Sequence, residues 1–245
     1  MDVSVLGGGG AWPSSGTPCG GYLVEHEGFR LLIDPGYGSM TQLPRAIGPT
    51  RIDAVYVSHG HPDHYADLHP LLRGRVLEGR TARLPVFAPP GAVDGVLRMD
   101  GRGELDGSYD LVELTPGGGF EVGPFMVHTR LLPHFVPNAG LRLEVADFVF
   151  AFTGDSGPDP AIAELARDAN VFIAEATFPL VVPERFSGFL SSARLSGETA
   201  TQAGVGQLIL AHQWPGSNAK DSIDAARQAF AGTVRVATPG LTLSA

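Results

Sequence analysis

Three histidines and an aspartate fall within six positions in Ser58-His59-Gly60-His61-Pro62-Asp63-His64, directly after the apolar run Asp53-Ala54-Val55-Tyr56-Val57. A turn leaving a buried strand with this composition aims imidazole nitrogens and a carboxylate at one strand end, the donor set of a divalent metal site. Four residues of one turn cannot all reach one small cation in good geometry, so further ligands are expected from other strand ends. Three residues answer that description. His134 follows the run FMVHTRLL and a proline, Asp155 sits in Thr153-Gly154-Asp155-Ser156 after FVFAFT, and His212 ends QLILAH. Each has a plainer reading alone: a loop histidine, an Asx-turn residue and a surface histidine. Together they favour a metal centre.

The elements that must position these residues are short strands. The chain has 33 glycines and 20 prolines, which punctuate β-branched and aromatic runs along its length. Strands are predicted over 3–6, 21–25, 30–34, 53–58 and 84–88 in the first half. The second half offers 110–114, 125–131, 141–145, 148–153, 171–175, 207–212 and 234–237. Runs such as VFIAEA and LILAH are apolar throughout and read as buried on both faces. Helices are fewer. Asp159 caps a helix that opens on Pro160 and carries Ile162, Leu165 and Ala166 at helical spacing up to Ala169. Others are expected over 67–72 and 197–203, and after a cap at Asp221 or Ser222, with Ile223, Ala226 and Phe230 on one face. Two sheet-rich halves, each followed by helix, are the coarse architecture, and nothing marks a linker, so 1–245 reads as a single domain.

Composition removes several function classes. Of 245 residues, 43% are hydrophobic and 18% charged, which fits a globular body rather than a disordered or fibrous one. Acidic side chains outnumber basic ones 26 to 17, a formal charge of −9 that opposes extended nucleic-acid binding. Cys19 is the only cysteine, so no intramolecular disulfide framework exists. With no apolar run near the roughly 20 residues of a membrane span and no signal-like N-terminus, the chain reads as cytoplasmic.

The segments LGGGGAWPSSGTPCGGYLV, LLIDPG, SHGHPDHYADL, TGDS, AEATF and LILAH resemble, across nearly the whole chain, the metallo-β-lactamase superfamily. Within it the resemblance is to the branch of ribonuclease Z and its smaller phosphodiesterase-like relatives. That resemblance implies an α/β fold, a four-layer αββα sandwich with a two-metal site at one edge. It implies that His59, His61 and His134 hold one metal, that Asp63, His64 and His212 hold the second, and that Asp155 bridges them. Mixed nitrogen and oxygen donors favour two zinc ions and are compatible with manganese or iron. The implied reaction is hydrolysis of a small phosphodiester, such as a cyclic nucleotide, by attack of a metal-bridging hydroxide, with Asp63 orienting it and Glu175 of AEATF assisting proton movement. Two alternatives remain: a lactone or carboxylic ester as substrate of the same metal pair, and a metal-binding or ligand-sensing protein without turnover. Homodimers are common among such relatives, whereas the Lys-rich arm that grips transfer RNA in ribonuclease Z has no counterpart here, so a small-molecule substrate is expected.

Some residues stay open between a functional and a plain reading. The histidine that partners the glutamate in ribonuclease Z does not occur downstream of Glu175. Arg194 stands near its place, either to steady a substrate anion or as an exposed arginine. Segment 181–192, VVPERFSGFLSS, is apolar and aromatic for a loop and reads as a lid or as a packing connection. Gly7 to Gly10 lack a following helix and acidic partner, so a dinucleotide fingerprint is rejected in favour of a backbone turn near the metals. His26 and His69 are expected at the surface, and His128 is set aside for His134, which lies beyond its strand.

Overall fold

The computed structural model describes residues 1–44, 46–115 and 117–244. The first half of the chain gives β1 (Asp2–Gly7), β2 (Gly21–His26), β3 (Phe29–Ile33), β4 (Ala54–Tyr56), β5 (Leu84–Ala88) and β6 (Tyr109–Glu113). Between β4 and β5 lie α1 (Pro62–Tyr65) and α2 (Leu68–Leu77), and α3 (Asp94–Leu97) precedes β6. The second half gives β7 (Gly119–Val122), β8 (Phe125–Leu132), β9 (Asn138–Val145), β10 (Phe148–Phe152), α4 (Pro160–Leu165) and β11 (Val171–Glu175). It continues with α5 (Ala193–Ala203), β12 (Gln207–Ala211), α6 (Ala219–Arg227), β13 (Thr233–Val236) and β14 (Thr242–Ser244).

Two seven-stranded sheets result, ordered β14-β1-β2-β3-β4-β5-β6 and β13-β12-β11-β10-β9-β8-β7. Each begins as an antiparallel meander and turns parallel halfway, at the β3/β4 pair in the first sheet and the β10/β11 pair in the second. The antiparallel pairs need only short turns, whereas each parallel pair needs a crossover, supplied by α-helices except between β3 and β4, where two 3-10 turns lie (Ser39–Gln42 and Pro49–Arg51). Side-chain alternation then builds the layers. Leu31 and Ile33 of β3 face Val171 and Ile173 of β11 in a central core between the sheets. Leu32 and Val55 pack outward against α2 through Leu68, Leu71 and Leu72, while Phe172 and Leu208 pack outward against α4, α5 and α6. The expected αββα sandwich is the observed one. Among the described residues no helix is long and apolar enough to cross a membrane.

Several element boundaries differ from expectation. Asp159 caps α4 by accepting from Ala161 N, but the helix ends at Leu165 rather than at 169. α6 is capped by Asn218, one turn before Asp221, because its first turn is polar and leaves no hydrophobic signal. α5 starts at Ala193 under a Ser192 cap, before the predicted 197, and α2 runs five residues past 72. The edge strands β7 and β14 went unpredicted, being three or four residues long and poor in buried side chains.

The sheets are tied together where β4 and β9 meet. Tyr56 Oη donates to Ala139 O (2.9 Å) and Ala139 N donates to Ser58 O (2.8 Å). Carboxyl ends of β4, β8, β10, β11 and β12 therefore open on one edge of the sandwich, as parallel-sheet sites do.

Candidate metal centre

The chain leaves β4 through Ser58 and His59 and enters α1, whose Pro62 sits at the first helical position; α1 then carries Asp63 and His64 on its buried side. One residue organises this turn. Asp34, fully buried just beyond β3, accepts hydrogen bonds from Ser58 N (2.7 Å), Ser58 Oγ (2.6 Å) and His64 Nδ1 (2.7 Å). It holds a left-handed φ of 46°, and His212 (54°), Ala11 (61°) and Gly154 (61°) share that backbone region around the same edge.

The first cluster joins His59, His61, His134 and Asp155, with one donor atom from each within 4.8 Å of the others. His59 Nε2 lies 3.1 Å from His61 Nδ1, which lies 3.0 Å from His134 Nε2. The protons are elsewhere. His134 Nδ1 donates to Phe189 O (2.9 Å), and His59 Nδ1 meets Ser58 Oγ at 3.0 Å, whose own proton goes to Asp34. The remaining ring nitrogens thus turn lone pairs toward one point, which neutral imidazoles tolerate only around a cation. Burial lowers the basicity of all three rings, most strongly for His59, where the charge of His64 adds to it.

The second cluster joins Asp63, His64, His212 and the same Asp155. Asp155 Oδ2 is 3.0 Å from His212 Nε2, 3.7 Å from His59 Nε2 and 3.8 Å from His134 Nε2, while Oδ1 is 3.3 Å from His64 Nε2. Its carboxylate therefore faces both clusters. Asp63 Oδ2 accepts from Ala11 N (2.8 Å) and lies 3.3 Å from His212 Nε2. His64 is a buried group whose proton affinity burial would lower, yet Asp155 and Asp63 raise it well above that of an ordinary imidazole. His212 follows the same pattern, pushed up to about 9 mainly by Asp155 against its burial. Burial would raise Asp63 and Asp155, but the charges of His64 and His212 hold both far below the usual carboxylate range. The buried acids demand positive charge, and protons on His64 and His212 are what the protein alone provides. His64 Nε2 and Asp155 Oδ1 are buried without a hydrogen-bond partner among the described residues. Orphaned atoms facing each other across a gap are what two divalent ions would satisfy, so the residues fit the implied metals.

Glu175 is brought to the site's rear rather than its mouth. Its carboxylate accepts from Ser156 N, from Thr177 Oγ1 (2.8 Å) and from Ser191 N (3.1 Å). Thr177 Oγ1 in turn meets His212 Nδ1 at 2.7 Å, so Glu175 acts on that ring through one hydroxyl. Burial, and then the Asp155 charge, push the Glu175 carboxyl up to about 8. Behind it lies a cavity of about 300 Å³ between α4 and α5. Gly10 closes the other side of His212: a Cβ there would sit 2.7 Å from the imidazole, so the glycine-rich turn packs backbone directly on that ring.

Asp34 in LLIDPG, Ser58 at the head of the histidine turn and Thr177 in AEATF carry no role in the sequence reading. A lone acid between an apolar run and proline is the signal that marks Asp34; the two hydroxyls carry none. Arg194 is exposed and pairs with Glu198 on its own helix (3.2 Å), the plain reading. His128 is exposed within β8, and His69 lies on α2 near Arg73 and Met99. Segment 181–192 is mostly exposed and leans on the first cluster through Phe189 O, which favours a cover over a packing connection.

A family model described as "Beta-lactamase superfamily domain" matches residues 29–213. The probable metallo-hydrolase YhfI of Bacillus subtilis is 26% identical over 98% of both chains. Ribonuclease Z of Bacillus mycoides is 26% identical, covering 95% of this chain and 96% of its own. The crystal structure of YhfI, a metallo-β-lactamase fold protein, superposes with a TM-score of 0.90 at 23% identity, covering 99% of each chain. A diphosphatase from the PhnP family gives 0.75 at 22% identity, covering 99% of this chain and 96% of its own.

Proposed function

The chain belongs to the β-lactamase superfamily, as a metal-dependent hydrolase, and from that premise we propose that its substrate is a small phosphodiester. The observation that carries the reading is Asp155, whose two oxygens face two clusters of histidines and carboxylate at once. His59, His61 and His134 would hold one divalent ion, Asp63, His64 and His212 a second, with Asp155 between, and zinc suits these donors. Such a pair supplies Lewis acidity toward a phosphoryl oxygen and a nucleophile at neutral pH. Two similar relatives carry phosphorus chemistry in their names, ribonuclease Z and the PhnP-family diphosphatase, which supports phosphorus over carbon as the electrophile.

The protein's own residues do the positioning. Asp63, fixed through Oδ2 by the Ala11 N–H, would orient an attacking water. Asp34 and Ser58 set the rings of His64 and His59, and Glu175 sets His212 through Thr177. Glu175 is sealed by its three donors, so its part is positioning. We take residues 1–245 as one unit, a reading supported by β14, which returns from the chain's end to pair with β1.

Metal content measured by plasma mass spectrometry beside hydrolysis of phosphodiester and lactone panels tests this reading. Two ions per chain with phosphodiester turnover and no lactone turnover are expected. Asp155→Ala should lose one ion and lower kcat/KM by about a thousandfold or more. Lactone turnover without phosphodiester turnover would replace the proposed substrate.

A further inference from the structure

Asn138 opens β9, is fully buried, and takes no part in the chemistry above. The pairing of β9 with β10 ends at Leu141 and Phe152, and the turn that carries Asp155 lies beyond it. A side chain spans the gap. Asn138 Nδ2 donates to Thr153 O (2.9 Å) and to Asp155 O (2.6 Å), spending both of its hydrogens on the two carbonyls that bracket the turn.

The surroundings are fitted to this amide. Gly154 has a left-handed φ of 61°, and a Cβ there would lie 2.3 Å from Asn138 Oδ1 and 2.9 Å from Ser58 Oγ, so only glycine fits against these two side chains. The next residue of β9, Ala139, donates its N–H to Ser58 O (2.8 Å), which seats Asn138 beside the turn that bears His59. Past Asp155, Ser156 N donates to the Glu175 carboxylate, so the turn is gripped at both ends. Asn138 Oδ1 is buried without a hydrogen-bond partner among the described residues. A buried acceptor left unpaired costs stability, and an apolar side chain of similar shape would avoid that cost. What an apolar side chain lacks is the pair of donors.

Building on the two-ion reading, we infer that Asn138 is the positioning residue for Asp155, fixing the backbone around Gly154 so that one carboxylate faces both clusters. Glycine is required there by close packing, and it brings a conformational freedom that something outside the turn must remove. Asp155 Oδ1 stands 3.3 Å from His64 Nε2, and Oδ2 stands 3.0 Å from His212 Nε2 and 3.7 Å from His59 Nε2. Rotation about Gly154 disturbs all three separations together. The amide is specific to the task, because serine offers one donor and an ionised aspartate none. Since the carboxylate is shared, losing its brace acts on both ions, unlike a change at a residue of one cluster.

The test measures the two stepwise zinc affinities of the full chain by competition with a chelating dye. Asn138→Ala and the same-shaped Asn138→Asp should each weaken both ions by about 10- to 100-fold. Tyr56→Phe is the control. It removes the neighbouring buried bond from Tyr56 Oη to Ala139 O without touching Asp155, so it should lower the Tm and leave both affinities within about twofold. The unsubstituted protein gives a readout that needs no variant: both side-chain amide protons of Asn138, followed by NMR, should exchange with deuterium as slowly as the backbone amides of β9. Unchanged affinities in both variants, a loss confined to one ion, or an equal loss in Tyr56→Phe overturns the inference. Exchange of the Asn138 protons within minutes, while the β9 amides persist, overturns it too, and decides the matter if neither variant folds. Failure of the unsubstituted chain to take up two ions overturns the two-ion reading itself.

Discussion

Asp34 touches no ligand-bearing atom of the first cluster, yet both clusters hang on it. It fixes His64 directly and His59 through Ser58, so its loss leaves a backbone N–H, a hydroxyl and a ring N–H without their acceptor in a dry interior. Asp34→Ala should therefore destabilise the fold by about 3–5 kcal/mol, because removing one partner of a buried charged network exposes the full desolvation cost of the rest. Denaturant unfolding of the metal-loaded protein checks the magnitude; a change under 1 kcal/mol would show that water replaces the carboxylate. The same logic explains why Thr177 escaped notice in the sequence. A threonine after a buried strand looks like any other, and only the 2.7 Å approach of His212, 35 residues on, gives it a task.

Among the elements, the glycine-rich turn after β1 is the one whose composition is dictated by the site. It runs beside Gln213, with Gly10 N donating to Gln213 O (3.0 Å), so its backbone lies flat against the His212 ring. Gly10→Ala places a methyl where the imidazole already is, and the ring must tilt away from Asp63 and Asp155. A loss of about 10- to 100-fold in affinity for the second ion is expected, the usual scale for disturbing a ligand's orientation. Metal titration monitored against a chelating dye reads it; unchanged affinity would mean the turn moves instead. Strands and helices that feed the site were visible from their apolar runs and caps, because β3, β4, β10, β11 and β12 are buried on both faces. The strands β7 and β14 were not, since GFEV and TLS are too short and carry too few β-branched or aromatic residues to stand out from the turns beside them.

At the scale of the whole molecule, two sheets of like topology meet so that the clustered histidines and carboxylates from both halves share one edge, and the site's charge couples to the stability of the sandwich. In metal-free protein, His212 is raised to about 9, so its proton contributes stability fully below pH 6.5, and that contribution is lost as pH climbs toward 9. Asp63 and Asp155 lie far below the ordinary carboxylate range, so their contribution holds above about pH 4 and is lost only in acid. Divalent ions held there would replace the histidine protons and remove the alkaline loss. The Tm gap between metal-loaded and chelator-stripped protein should therefore widen from pH 6.5 to 9, as calorimetry would register. A gap independent of pH would mean that His64 and His212 do not carry the compensating charge.

The strand-dominated α/β body, the turn bearing His59, His61, Asp63 and His64, and the metal-type residues at distant strand ends are all legible along the chain. Ligand chemistry is written in residue type, and burial is written in local periodicity, so both can be read along the chain. Tertiary structure alone decided that Asp155 faces both clusters, that Asp34 and Thr177 orient the rings, and that Glu175 lies sealed behind His212. Those are relations between residues tens to more than a hundred positions apart. They follow from which strands pair and which faces meet, and no local pattern encodes them.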